Sequence, residues 1–298
     1  MVVYSISPEL AQVDEKSVLS NKLKRHMWRR NGREYTILRY NKDILERDRT
    51  DTETTGLFRS VVFDEGNIKC FAPPKSLDIA IFTQLLHGNN CYAQEFIDGT
   101  MINMFYDDSL PLDKDLGYWE IATRSTVGGE VKFDFSSTDN TGKTFRSMFI
   151  EAVRNNIENE SLCDALDVLN KRYCYSFVLQ HPENRIVTPY DSTSIYLVDA
   201  YSINNETKTV TQVNSFGTMI DTCPWIKTPT IYEDNLDEKV LEMLRQKFAS
   251  EDTDYAIPGV MLHDRNTGMR SKIRNPTYEK VRILRGNQPK LQFHYLTL

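Results

Sequence analysis

The stretch YAQEFIDGTMINMFYDD, residues 92–108, reads as extended chain with one Asp-Gly pair, Asp98-Gly99, near its middle. Side chains two apart in a strand share a face. Phe96 and Asp98 are therefore expected on one side, Glu95 and Ile97 on the other. A pocket built around Asp98 would have Phe96 as its neighbour. A phenyl ring has no lone pair and cannot act as a nucleophile; it can stack on a flat ligand or plug a pocket.

Further strand signals lie on either side. They are EYTILRY (34–40), FRSVVFDEGNIKCFA (58–72, a hairpin about Glu65-Gly66-Asn67), YWEIATRST (118–126), YCYSFVLQ (173–180), SIYLVDAYSI (194–203), TVTQVNSF (209–216), IPGVMLHD (257–264) and MRSKIRN (269–275). Apolar residues three and four apart predict helices over 76–86, 143–157, 161–172 and 235–250, with Ser76 and Ser161 placed as N-caps. Antiparallel strand runs broken by a few helices imply an α+β domain.

With 298 residues, 40% hydrophobic and 26% charged, the composition is that of a soluble globular chain. No apolar run approaches the roughly 20 residues of a membrane span. The N-terminus lacks a basic region followed by an apolar core, which argues against a signal peptide. Five scattered cysteines, never in a Cys-x-x-Cys pair, suit reduced thiols of an intracellular, cytoplasmic protein and argue against a zinc site. The net charge of −6 is segregated: residues 22–33 and 264–290 each carry +6, leaving −18 on the remainder. Two basic patches on an acidic body suit an anionic partner approached from one side, or are simply solvated surface.

Taken in order, these segments resemble the RNA ligase 1 family, the phage type that reseals broken tRNA and belongs to the covalent nucleotidyltransferases. The likeness is to its nucleotidyltransferase domain and spans roughly residues 55–285. GLFRSVVFDEGNIKCFAPPKSLDIAIF (56–82) is similar to the family's arginine-bearing strand and Pro-containing loop, placing Arg59 and Lys75 on the phosphate side. The 92–108 stretch aligns with the Lys-x-Asp-Gly nucleophile motif, and YWEIATRSTVGG (118–129) with the strand after it, where Arg124 and Ser125 occupy the Lys-Gly-Ser position. YSFVLQHPENRIVTPY (175–190) is the most specific match, to Phe-Glu-x-x-x-Pro-x-x-Arg-Ile-Val-x-x-Tyr, and puts Phe177 at the nucleoside. IPGVMLHDRNTGMRSKIRNPTY (257–278) resembles the late Glu-Gly-Val-Val and Lys-x-Lys motifs, with Lys272 and Arg274 as the cations.

The resemblance implies an α+β nucleotidyltransferase domain, the ATP-grasp-like adenylation domain of RNA and DNA ligases. Antiparallel sheets flanked by a few helices would occupy 55–298, with 1–54 a basic segment packed on it. It further implies ATP or GTP with Mg²⁺ as ligands and RNA as partner. Only residues 286–298 follow the last motif, so substrate selection would have to come from a protein partner supplying the family's helical domain or from the N-terminal basic segment. The domain-only form is similar to versions in large DNA viruses, which implies a virus-encoded protein.

Three chemical positions depart from the family pattern. Phe96 replaces the nucleophilic lysine, Val178 the nucleoside-contacting glutamate and Pro258 the metal-binding glutamate. Loss of a nucleophile typically costs about 10⁶ in rate. The expectation is a catalytically degenerate pocket that binds phosphates through Arg59, Lys75, Arg124, Ser125, Lys272 and Arg274, with Phe96, Asp98, Gly99 and Phe177 around the nucleoside. The metal ligands are left unassigned. The alternatives are an active RNA ligase or capping-type enzyme in which Lys75 or Lys69 takes over, and a scaffold subunit of a larger assembly. His181 and His263 read as strand-end surface or pocket-rim histidines. Asp264 reads as a surface-turn residue, with a substitute metal ligand as the alternative, and the Gly-Lys-Thr of 142–144 as a helix-initiating loop. Trp28 reads as either a base-stacking ring or a buried anchor.

Overall fold

The 92–108 stretch is two strands. In the computed structural model, which describes residues 1–6, 22–42, 54–86, 90–132, 142–158, 161–213 and 221–285, pairing stops at Glu95 and resumes at Thr100. Residues 96–99 carry the chain from one sheet to another. Only glycine suits position 99: φ is +146°, and a Cβ there would lie 2.5 Å from the Leu179 carbonyl oxygen and 2.7 Å from Val178 Cγ1. Strand alternation thus does not govern Phe96 and Asp98, because pairing has already ended at Glu95.

In chain order the strands are β1 (Val3–Ser5), β2 (Leu23–Arg30), β3 (Arg33–Tyr40), β4 (Val61–Asp64), β5 (Asn67–Phe71), β6 (Cys91–Glu95), β7 (Thr100–Tyr106), β8 (Trp119–Ala122), β9 (Tyr173–Gln180), β10 (Ser194–Asn204), β11 (Thr209–Gln212), β12 (Ile226–Lys227), β13 (Ile231–Glu233), β14 (Gly259–Asp264) and β15 (Arg270–Arg274). The helices are α1 (Ile79–Gln84), α2 (Phe145–Arg154), α3 (Leu162–Asp167), α4 (Glu238–Phe248) and α5 (Pro276–Arg285). One sheet runs β1-β11-β10-β9-β7-β8 with β12 on β10, the second β13-β6-β14-β15, the third β2-β3-β4-β5. The β10–β12 pair is parallel and the other pairings are antiparallel. The architecture is the expected α+β one.

Three cores hold these layers. Ile102, Phe149, Phe177 and Trp225 pack the first sheet against α2 and α3. Tyr35, Phe71, Phe105 and Tyr201 fill the space between the first and third sheets. Phe82, Leu244, Phe248 and Val260 join α1 and α4 to the second sheet. Each such large apolar side chain contributes about 1.5–3 kcal/mol by leaving water.

The basic stretch 22–33 is β2 and its turn. Asn31 (φ 49°) and Gly32 (φ 83°) form a two-residue loop of the kind that matches strand twist, and Arg30 pairs with Arg33. Leu38 of β3 pairs with Val61 of β4, so this hairpin continues the sheet of 61–71. Trp28 is partly buried against that sheet's core. The 58–72 hairpin turns at Glu65 (φ 47°) and Gly66 (φ 79°), as expected.

Ser161 caps α3 as expected, accepting from Asp164 N at 3.1 Å. Ser76 does not cap α1; Asp78 does, accepting from Ala80 N at 3.0 Å. A carboxylate is the stronger acceptor for an exposed helix amide. Helix α5 was not anticipated. Pro276 opens it and Asn275 accepts the Thr277 N–H at 2.9 Å. Residues 133–141 lie outside the described residues, and Lys143 beside them pairs with Glu151 and Glu183, both at 2.7 Å. Among the described residues no helix is long and apolar enough to cross a membrane.

Candidate nucleotide-binding cleft

The crossover at 96–99 forms part of the wall of a cleft of about 1020 Å³ lined by residues of the first and second sheets, α4, α5 and the loop before α1. Nine Lys/Arg and four carboxylates line it, a net formal charge of +5. Sequence position alone would scatter these cations over more than 200 residues; the topology gathers them.

Asp98 is the organising residue. Its Oδ2 accepts from Val187 N (3.2 Å) and Thr188 N (3.1 Å), and its Oδ1 accepts from the Tyr278 hydroxyl (2.7 Å). The Asp98 carbonyl accepts from Gln180 Nε2 (3.1 Å) and Tyr190 Oη (2.8 Å). Asp98 thereby fastens the 184–190 loop and α5 to the crossover. Its role in the fold is to satisfy these buried donors.

Phe96 is half-buried on the cleft wall, and Lys272 Nζ stands 5.1 Å from its ring centre. Burial first, then the guanidiniums of Arg274, Arg59, Arg270 and Arg282, pull the Lys272 ammonium down to about pKa 6. Burial and then Arg270 lower Arg59 to about 10. Arg274 pairs with Glu279, which also meets Arg282 at 3.0 Å. Arg124 lies over the Tyr40 ring, 4.9 Å from its centre. Lys75 lines the cleft on a loop fixed by its own N–H to the Gly56 carbonyl (2.9 Å).

Of the expected site residues, Arg59, Lys75, Phe96, Asp98, Gly99, Arg124, Lys272 and Arg274 line the cleft. Phe177 and Ser125 do not. Phe177 is fully buried in the core, its ring centre 6.0 Å from Tyr175 and 5.6 Å from Trp225. On β9 adjacent side chains face opposite ways, and Val178 is the one that faces the cleft. Ser125 sits in the turn after β8, its N–H 3.5 Å from Thr123 Oγ1. Pro258 is buried and its carbonyl accepts from Asn275 N at 3.1 Å.

Lys42, Arg245, Arg270 and Arg282 line the cleft without having been singled out. Arg270 was within reach, because it lies two residues before Lys272 on the same strand. It donates to the Pro73 and Pro74 carbonyls (3.0 and 2.6 Å) and so holds the loop that bears Lys75. His263 faces the cleft, stacks on Tyr92 (4.9 Å) and sits 3.1 Å from Gln94 Nε2. Burial, then Arg270 and Arg265, lower its imidazole to about pKa 3, so it is neutral. Asp264 accepts from Asn266 N at 2.8 Å and caps its turn. His181 opens a short turn, its Nδ1 accepting from Glu183 N at 3.1 Å. Lys69 pairs with Asp107 (3.1 Å) and Asp64 (3.7 Å) outside the cleft. Among the described residues no group of three or more His, Cys, Asp or Glu converges as metal ligands.

No family model matches the chain. An RNA ligase of Rhodothermus phage RM378 is 30% identical over 114 residues, which are 38% of this chain and 23% of the phage protein. A putative ATP-dependent DNA ligase from Aquifex aeolicus superposes with a TM-score of 0.53 at 16% identity, over 91% of this chain and 63% of that one. An archaeal ATP-dependent RNA ligase gives 0.51 at 12% identity, over 91% and 65%. The chain thus spans under a quarter of the phage relative and under two thirds of these two ligases. The fold is that of the nucleotidyltransferase domain of ATP-dependent RNA and DNA ligases.

Proposed function

We propose that this chain is an RNA-ligase-like protein whose cleft binds the phosphates of a nucleoside triphosphate, ATP or GTP, and of an RNA end. One observation carries the reading: the net +5 of the cleft, to which β15 alone contributes Arg270, Lys272 and Arg274. Several guanidinium and ammonium groups facing one another in a partly desolvated space repel, and an oxygen-rich polyanion relieves that repulsion. Arg59, Lys75, Arg124 and Arg274 serve the phosphates, while Phe96, Met101, Val178 and Met261 offer an apolar wall to the base. Phe96 itself cannot form a bond to phosphorus. The similarity to a phage ligase supports a virus-encoded source.

The test is equilibrium titration of the protein with ATP, GTP and a 5′-phosphorylated RNA oligonucleotide. Arg59→Ala combined with Lys75→Ala should weaken triphosphate binding about 10- to 100-fold, the loss of two charge-assisted contacts. Absence of binding, or indifference to both substitutions, would leave the cleft as a folded remnant within an assembly.

A further inference from the structure

The three strands β6, β14 and β15 place Gln94, Met261 and Lys272 opposite one another, and all three line the cleft. Phe96 follows immediately after β6, and the Lys272 amine stands over its ring at 5.1 Å. The nearby carboxylates are engaged elsewhere. Asp98 accepts from Tyr278 and two backbone amides, Glu279 pairs with Arg274 and Arg282, and Glu95 accepts from Thr230 N at 3.2 Å. Among the described residues no carboxylate forms an ion pair with Lys272.

We propose that Lys272 is the nucleophile of nucleotidyl transfer in this chain, standing in for the amine that position 96 lacks. The inference rests on the triphosphate-binding reading above and adds a covalent step to it.

A lysine becomes a nucleophile when its amine is desolvated and set among other cations, because both effects disfavour the ammonium. Lys272 meets both conditions. Phe96 supplies apolar contact on one side, and Arg59, Arg270, Arg274 and Arg282 supply repulsion, which holds its pKa near 6. The ring face favours the ammonium through its quadrupole, but that contact is weaker than burial and four guanidiniums acting together. Lys69 is tied to Asp64 and Asp107 outside the cleft, so it cannot take this role.

In the step itself, the neutral Lys272 amine attacks the α-phosphorus of a bound nucleoside triphosphate. The N–P bond forms as the bond from the α-phosphorus to the bridging oxygen breaks. Pyrophosphate leaves with that electron pair, and the nitrogen loses one proton to water. The product is a phosphoramidate carrying one nucleoside monophosphate. The surrounding guanidiniums stabilise the charge that spreads over the phosphoryl and pyrophosphate oxygens.

The experiment is intact mass under denaturing conditions after incubation with ATP or GTP and Mg²⁺ or Mn²⁺, followed by peptide mapping. On the same preparations, binding of a triphosphate with a methylene bridge between the α and β phosphorus is measured. A gain of one nucleoside monophosphate, acid-labile and mapped to Lys272, is expected. Lys272→Arg should abolish it while still binding the methylene analogue, which shows a folded cleft, and Lys69→Arg should leave it unchanged. Analogue binding with no adduct, or with an adduct on another residue, overturns the assignment and leaves the binding reading standing. Failure to bind the analogue overturns both.

Discussion

The Tyr278 hydroxyl donates to Asp98 Oδ1 at 2.7 Å and ties α5 to the crossover between two sheets. Both groups are buried, and the carboxylate's other oxygen is already committed to two backbone amides. A helix carrying Arg282 and Glu279 is thus tied at its first turn to the wall of the cleft, and its last residue, Arg285, donates to the Ile186 carbonyl.

Removing that hydroxyl tests the tie. Tyr278→Phe should lower stability by about 1–3 kcal/mol, the cost of leaving a buried carboxylate one donor short. The midpoint of urea denaturation reads it. A change below a few tenths would mean that α5 is held by other contacts.

Gly99→Ala should be more damaging. The new methyl would sit 2.5 Å from a backbone oxygen at a φ that L-residues avoid, and a loss of about 3 kcal/mol or more is expected. Recovery of soluble protein with an unchanged melting temperature would show that the crossover relaxes freely.

His263 gives a pH signature. Its folded pKa is depressed to about 3, whereas an unfolded imidazole takes its proton near 6.5. Between those values the unfolded state binds more protons, so stability contributed by neutral His263 is present above pH 6.5 and lost as pH falls. From pH 7 to pH 5 that loss is about 2 kcal/mol. His263→Gln should flatten this part of the profile, and an unchanged slope would assign the acid sensitivity to other groups.

RNA binding should draw on β2. Lys24, Arg25 and Arg29 are exposed on this strand, and Arg39 lies against His26 at 2.9 Å, between β2 and the cleft residue Arg124. Replacing the three by alanine should weaken RNA binding and reduce its salt slope by roughly 0.7 per lost phosphate contact. These substitutions are preferable to truncating 1–33, which would strip β1 from the first sheet and β2 from the third. An unaltered slope would remove β2 from the interface.

The strands at 34–40, 58–72 and 173–180 were legible because alternation and turn chemistry are local. The α+β class followed from their order. Phe177 was set at the nucleoside by its place in the Phe-Glu motif, but of that pair it is Val178 whose side chain faces the cleft, while Phe177 fills the core. Helix α5 escaped notice because a single buried residue, Tyr278, leaves almost no apolar period to detect. Ser76 looked like a cap, but Asp78 lies two residues closer to the first hydrogen-bonded turn. Arg245 and Arg282 reach the cleft from helices distant in sequence, a juxtaposition that no local pattern encodes. The gap in pairing at 96–99 was invisible for the opposite reason: residues 92–108 have a strand-like composition throughout.

That gap has a mechanical consequence. Because β6 and β7 belong to different sheets, Phe96-Ile97-Asp98-Gly99 is a covalent strap between two sheets as well as part of the wall of the cleft. A ligand seated against it bridges the sheets that the strap joins, and so resists their separation. Occupancy should therefore register as resistance to unfolding, a rise in melting temperature that grows with the logarithm of ligand concentration above its dissociation constant.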